Sequence, residues 1–188
     1  MSLFPFLPIP SFTPTPLNKC IVAFIDSGLQ NYESLADGLE EGAEAVVIRN
    51  DQDGIEQMTS ILVTHTCLDS VHILAPGSPG CVELGHAMLS IETLDRYAQD
   101  LQVWFFLAQL CDCYPSIHLY GSHVAVGDRG RAFLRRLYRL TGGGILASST
   151  STGNLMLGGN WNLEQQVGPA YRRHIIRPEV LARYEGLL

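Results

Sequence analysis

Charge is scarce in this chain: 16% of its 188 residues are Asp, Glu, Lys or Arg, against roughly 25% in an average globular domain. That excludes a disordered tail, a coiled coil and a highly solvated acidic linker. Lysine is almost missing, Lys19 being the only one. The net charge of −7 argues against general nucleic-acid binding, which rests on neutralising phosphates. No apolar run reaches the roughly 18 residues of a membrane span, so none is expected. Cysteines are few, odd in number and irregularly spaced (20, 67, 81, 111 and 113). A disulfide framework is therefore not expected, and a reducing compartment is. Cys111-Asp112-Cys113 and His65-Thr66-Cys67 superficially resemble zinc ligands, but zinc cysteines are usually two to four residues apart. No metal and no cofactor is expected.

What is present is apolar: 46% of residues are hydrophobic. The length suits one domain, and such a chain buries about 70% of its unfolded surface without help from metal or disulfide. Charge is unevenly distributed. Residues 1–112 carry a balance of −12, whereas residues 113–188, with nine arginines, carry +5. Arginine suits fixed, bidentate partners, so the basic half can present one positive face.

Residues 1–19 stand apart from the rest. Five prolines (5, 8, 10, 14 and 16), three phenylalanines (Phe4, Phe6, Phe12) and no charge before Lys19 describe an extended arm, not a signal peptide. From Cys20 onward, short β-branched runs alternate with amphipathic segments. Strands are expected at 20–27, 43–50, 70–76, 116–122 and 144–150, with a short edge strand within 160–168. Helices are expected at 31–42, after a cap at Asp53, at 91–112, at 128–142 and from Pro178 to Leu188. Strands alternating with helices give a parallel sheet covered on both faces, with sites at the carboxyl ends of the strands. Those ends include Pro76-Gly77 and Gly121-Ser122-His123.

Five stretches carry a family resemblance: FIDSGLQNYESLADGL, NDQDGIEQMTSIL, VHILAPGSPGCVELGHAMLS, LYGSHVAVGDRGRAFLRRLYRLTGG and LASSTSTGNLMLGGNWNLE. In this order, over residues 20–168, the chain resembles a bacterial domain of unknown function often found at the front of large repeat-containing adhesins, chiefly in cyanobacteria. That family is similar to caspase-like cysteine peptidases. The resemblance implies an α/β fold, a caspase-like three-layer sandwich with a mostly parallel central sheet. It also implies a His-Gly at the end of the third strand and a Cys at the end of the fourth. Here those positions read Pro76 and Ser122. Proline cannot move a proton, and an unassisted serine hydroxyl is a weak nucleophile. The family's acidic residues before Thr152-Gly153 and before Trp161 are also replaced, by Ser148-Ser149-Thr150-Ser151 and by Asn160. Dyad and acidic groups have gone together, which fits a retired site.

Other histidines cannot obviously rescue Ser122. His123 is its neighbour and would point to the opposite side of a strand, and His118 lies about 13 Å upstream along it; His86, in a loop, remains open. His72 and His118 each lie four residues before a strand end and would share one sheet face, either as a neutral core pair or as a pH-sensitive couple. Gly142-Gly143-Gly144 follows a helix and reads as its stop. Asn50–Gly54 resembles the start of a calcium loop without its distal glutamate, so capping is the better reading. Trp104-Phe105-Phe106 reads as core, though three consecutive positions cannot share one helix face. Arg135, Arg136 and Arg139, with Arg172, Arg173 and Arg177, read as a solvated face or a docking surface for an acidic protein.

The expectation is an arm (1–19), an α/β domain (20–168) and a C-terminal basic segment and helix (169–188). The function expected is that of a non-catalytic, degenerate peptidase-like domain. It would bind a protein partner, through Phe4, Phe6 and Phe12 of the arm or through Arg135, Arg136, Arg172 and Arg173. The setting expected is cytoplasmic, at the periphery of a larger assembly in which a chain without following repeats is a small accessory subunit. The alternative is a divergent hydrolase with Ser122 as nucleophile.

Overall fold

A computed structural model describes residues 20–110 and 114–188. The arm and its phenylalanines, and Cys111 and Cys113, lie outside the described residues.

Five parallel strands form the centre: β1 (Cys20–Asp26), β2 (Ala43–Ile48), β3 (Leu68–Leu74), then β7 (Ser116–Leu119) and β8 (Gly144–Ala147). A sixth, β9 (Gln165–Val167), runs antiparallel at the edge, giving the order β2-β1-β3-β7-β8-β9. The strands are near-continuous apolar runs because the parallel sheet is covered on both faces. One face, carrying Val22, Phe24, Val71, Ile73, Ile117, Leu119 and Ile145, packs under α2 (Gly54–Leu62), α3 (Ala98–Val103), α4 (Phe106–Leu110) and α5 (Gly127–Thr141). The alternate positions, Ile21, Ala23, Ile25, Leu74, Tyr120 and Leu146, face α1 (Tyr32–Asp37) and the chain from Leu163 to Leu188, including α6 (Pro178–Arg183). This is a mixed α/β architecture with a six-stranded, mostly parallel sheet flanked by helices. No helix among the described residues is long and apolar enough to cross a membrane.

Local chemistry accounts for the boundaries. Asp53 caps α2, its Oδ1 accepting from the Ile55 and Glu56 amides at 2.9 and 3.2 Å. Its Oδ2 accepts from the buried Tyr97 hydroxyl at 2.7 Å, so the Asn50–Gly54 run is a cap, as its residues suggest. Gly142 closes α5 in the left-handed conformation (φ 71°), its amide reaching the Tyr138 carbonyl; a side chain there would be strained.

Three expectations need correcting. The 91–112 helix is two short pieces, α3 and α4, preceded by turns. Trp104 and Phe105 are buried while Phe106 is 57% exposed, so the chain divides the aromatic run between core and surface. The turn-rich 77–90 stretch contains a second sheet of three antiparallel strands, β4 (Gly77–Ser78), β5 (Cys81–Leu84) and β6 (Ala87–Ser90). The last helix ends at Arg183 rather than Leu188, because the following residues turn inward: Tyr184 and Leu188 join the core. Residues 169–188 thus contribute to the same core as the sheet.

Candidate functional site

The parallel pairing of β3 with β7 sets Ile73 opposite Leu119, and the two chains stay adjacent beyond the strands. A Cβ added to Gly77 would lie 2.7 Å from the Gly121 Cα, so glycine is required for this close approach. Pro76 and Ser122 therefore occupy neighbouring strand ends. Ser122 lies three residues past β7, which ends at Leu119 instead of continuing to 122.

Ser122 is buried, and its Oγ accepts a hydrogen bond from the Thr152 amide at 2.9 Å. Its own amide donates to the main-chain oxygen of Leu188, and the Leu188 amide donates to the Thr152 carbonyl. No imidazole or carboxylate is hydrogen-bonded to this hydroxyl among the described residues. His123 is turned away, and the reason is not strand alternation. It adopts φ 62°, and its ring meets the Ser149 carbonyl and the Ser151 hydroxyl. His86 sits in another cavity, beside Asp51, Gln52, Asp53 and Arg96.

The side chains of the loops beside Ser122 include a neutral network. The Ser148 and Thr150 hydroxyls are 3.1 Å apart, and Asn160 Nδ2 donates to Thr150 Oγ1 at 2.9 Å. A carboxylate of this loop system, Glu164, accepts from both the amide and the hydroxyl of Ser149. Burial disfavours its charged form, but those donors outweigh it and hold the carboxyl below its usual range.

On the same sheet face, His72 stands opposite His118, with ring centroids 4.1 Å apart. Their strands repeat one pattern, Ser70-Val71-His72 and Ser116-Ile117-His118. Each serine hydroxyl meets Nε2 of the histidine two residues on, at 3.0 and 3.1 Å. Two residues further, the Tyr120 hydroxyl lies 3.3 Å from His72 Nδ1. Hydroxyls donate or accept, so they satisfy neutral rings in either tautomer. Burial pushes the His118 imidazole down to about 4, with the His174 and Arg172 charges adding to the effect. Burial, then the neighbouring His118, drives His72 well below the ordinary histidine range. Both are core imidazoles held neutral.

The stack continues through Tyr120 to Trp161 and Tyr184, with centroid separations of 5.9, 6.3 and 5.5 Å. Beside it opens a cavity of about 310 Å³ walled by His118, Tyr120, Trp161, Glu164, Arg172 and Arg173 among others. Its size is at the small end of ligand pockets. The repeated Ser-x-His pattern was a usable sequence signal for Ser70 and Ser116. Nothing local marks Trp161 or Tyr184, whose contacts come from chain returning over the sheet.

The arginines do not form one face. Arg135, Arg136 and Arg139 are on α5, and Arg172, Arg173 and Arg177 belong to the segment covering the opposite side of the sheet. Arg136 pairs with Asp95 at 2.6 Å, and Arg173 approaches Asp69 at 3.7 Å. Arg172 donates to the carbonyls of Leu163 and Glu164, and Arg177 to that of Asp37. One run of exposed apolar residues is the Leu155-Met156-Leu157 turn, 57–90% exposed, three residues beyond Thr152.

No curated protein matches the chain. One family does, over residues 22–188, a span that takes in the sheet, both strand ends, the histidine stack and the C-terminal segment that closes over them. The chain belongs to the family described as domain of unknown function DUF4347.

Proposed function

We propose that this domain is a non-catalytic, caspase-like module that binds a protein partner within a larger assembly. The observation that carries the reading is the state of Ser122: its hydroxyl oxygen accepts the Thr152 amide, and among the described residues no base is hydrogen-bonded to it. A serine nucleophile needs an adjacent group to take its proton, and the paired position is Pro76. The neutral Ser148–Thr150–Asn160 network supports the same reading, since hydroxyls and an amide stand where an acidic specificity pocket would need carboxylates.

Binding uses surface that catalysis does not. The Leu155-Met156-Leu157 turn projects three apolar side chains into solvent beside the retired site. Aliphatic side chains grouped in this way are characteristic of contact surfaces. Arg135 and Arg139 on α5 have no ion-pair partner among the described residues and suit an acidic partner. Phe4, Phe6 and Phe12 of the arm are further candidates from sequence. A cytoplasmic setting at the edge of an assembly goes with this reading.

The test pairs a fluorophosphonate probe with co-purification of the tagged chain from its native source, followed by mass spectrometry. Expected are no labelling and a stoichiometric protein partner. That partner should be lost on Leu155→Glu with Met156→Glu, on Arg135→Glu with Arg139→Glu, or on deletion of residues 1–16. Labelling that disappears in Ser122→Ala, or peptide cleavage by the purified chain, would overturn the reading in favour of a serine hydrolase.

A further inference from the structure

We propose that Cys20, Glu44 and His65 form a binding site for one divalent transition-metal ion of the zinc class, built at the amino-terminal edge of the sheet. A thiol, a carboxylate and an imidazole nitrogen from three separate elements converge there, every donor atom lying within 4.8 Å of the others.

The convergence follows from strand geometry. Cys20 opens β1, and its alternate neighbours Val22 and Phe24 point toward α2. Glu44 pairs with Val22 across the β1–β2 ladder and so shares that face. His65 follows the carboxyl end of α2, which packs on it. The Cys20 amide donates to the Cys67 carbonyl at 2.9 Å, fixing the strand start beside the loop that carries His65.

The imidazole is oriented as a metal ligand would be. His65 Nδ1 lies 3.0 Å from the Ile61 carbonyl, which can only accept, so Nδ1 carries a proton. Nε2, which donates to Glu44 in the metal-free ion pair, is the ring nitrogen that faces the other two groups, and its proton is the one a metal would displace. A backbone carbonyl holding one ring nitrogen while the other ligates is the usual outer-shell arrangement. Nε2 lies 3.0 Å from Glu44 Oε2. Tetrahedral zinc with bonds of about 2.0–2.3 Å sets its ligands about 3.3–3.6 Å apart, so small side-chain rotations close the site. Cysteine, imidazole and carboxylate together favour zinc over magnesium or calcium. Three protein ligands leave a fourth position for water. Cys20 and His65 are partly buried and Glu44 is exposed, which gives the ion a way in. The ion would tie β1, β2 and the end of α2 together. Of the residues that looked suggestive in sequence, His65 belongs to this set, and Cys111 and Cys113 lie outside the described residues.

The test uses the reduced, purified full chain titrated with Co²⁺ and then Zn²⁺. Expected is one equivalent of cobalt with a thiolate-to-cobalt charge-transfer absorption, displaced by zinc. The band should vanish in Cys20→Ser and His65→Gln and persist in the Cys111→Ser, Cys113→Ser double variant. Glu44→Gln, at an exposed position that the fold does not depend on, should weaken zinc by about tenfold or more, the scale on which even outer-shell losses act. No band, or a band that survives Cys20→Ser and His65→Gln, would overturn the proposal. The trio would then be a plain His65–Glu44 ion pair beside a thiol.

Discussion

The imidazole rings of His72 and His118 stack 4.1 Å apart with 27° between their planes, because parallel register places the two residues side by side on β3 and β7. Neighbouring strands are only about 4.8 Å apart, so the rings share one slot between the sheet and the chain over it. Charging either one would bury a cation against the other ring, with Arg172, Arg173 and His174 also nearby.

Acid should therefore destabilise the fold through this pair. His118 is held down to about 4 in the folded protein, against about 6.5 when unfolded. A depressed histidine leaves the native state neutral while the unfolded chain takes up the proton. Its stabilising effect is complete above about pH 6.5 and is lost as pH falls toward 4, by about 3 kcal/mol for His118 alone. His72 acts in the same direction. Urea midpoints measured from pH 7.5 to 5 should fall, and less steeply in His118→Gln. A flat profile in the unmodified protein would contradict the buried neutral pair.

Ser122→Ala should cost stability without costing function. The Thr152 amide loses its acceptor in a buried setting, a loss of about 1–3 kcal/mol. Partner binding should persist, as measured by co-purification. On the proposed reading, Pro76→His combined with Ser122→Cys should yield at most a reactive thiol, readable by alkylation rate, because the loops beside Ser122 offer the hydroxyls of Ser148 and Thr150 and the amide of Asn160.

Asp53→Ala removes two functions at once. The α2 cap contributes about 1 kcal/mol, and the buried Tyr97 hydroxyl loses the carboxylate that accepts from it, about 1–3 kcal/mol more. Thermal unfolding should show a combined loss of about 2–4 kcal/mol. Burial, then the hydrogen bond to Asp53 and its charge, push the Tyr97 phenol up to about 12, so absorbance titration should find it lowered in the variant by the part that Asp53 supplies.

Leu188→Ala should destabilise by about 2–4 kcal/mol, the usual cost of a buried leucine truncation. The side chain belongs to the core on the histidine face, and its backbone is bonded to both Ser122 and Thr152. Far-UV circular dichroism with denaturant melts measures this directly. An unchanged midpoint would show that the segment is peripheral to the core.

The residues alone determine the α/β class, the strands of the main sheet and the boundaries set by Asp53 and Gly142. Runs such as Ile21–Ile25 and Ile117–Leu119, bounded by turn residues, are local patterns with local causes. Pro76 and Ser122 are likewise legible as residues, and their adjacency follows from strand order. Tertiary structure decides what depends on which distant segments meet. The length of the 91–112 helix is lost because packing divides Trp104 and Phe105 from Phe106. The single arginine face becomes two, because the sheet lies between α5 and residues 172–177. Ser122 is occupied by Thr152, 30 residues away, and the Cys20–Glu44–His65 trio joins three elements whose spacing carries no metal signature. Periodicity reports which side of its own element a residue faces; register and crossover connections alone decide what it meets there.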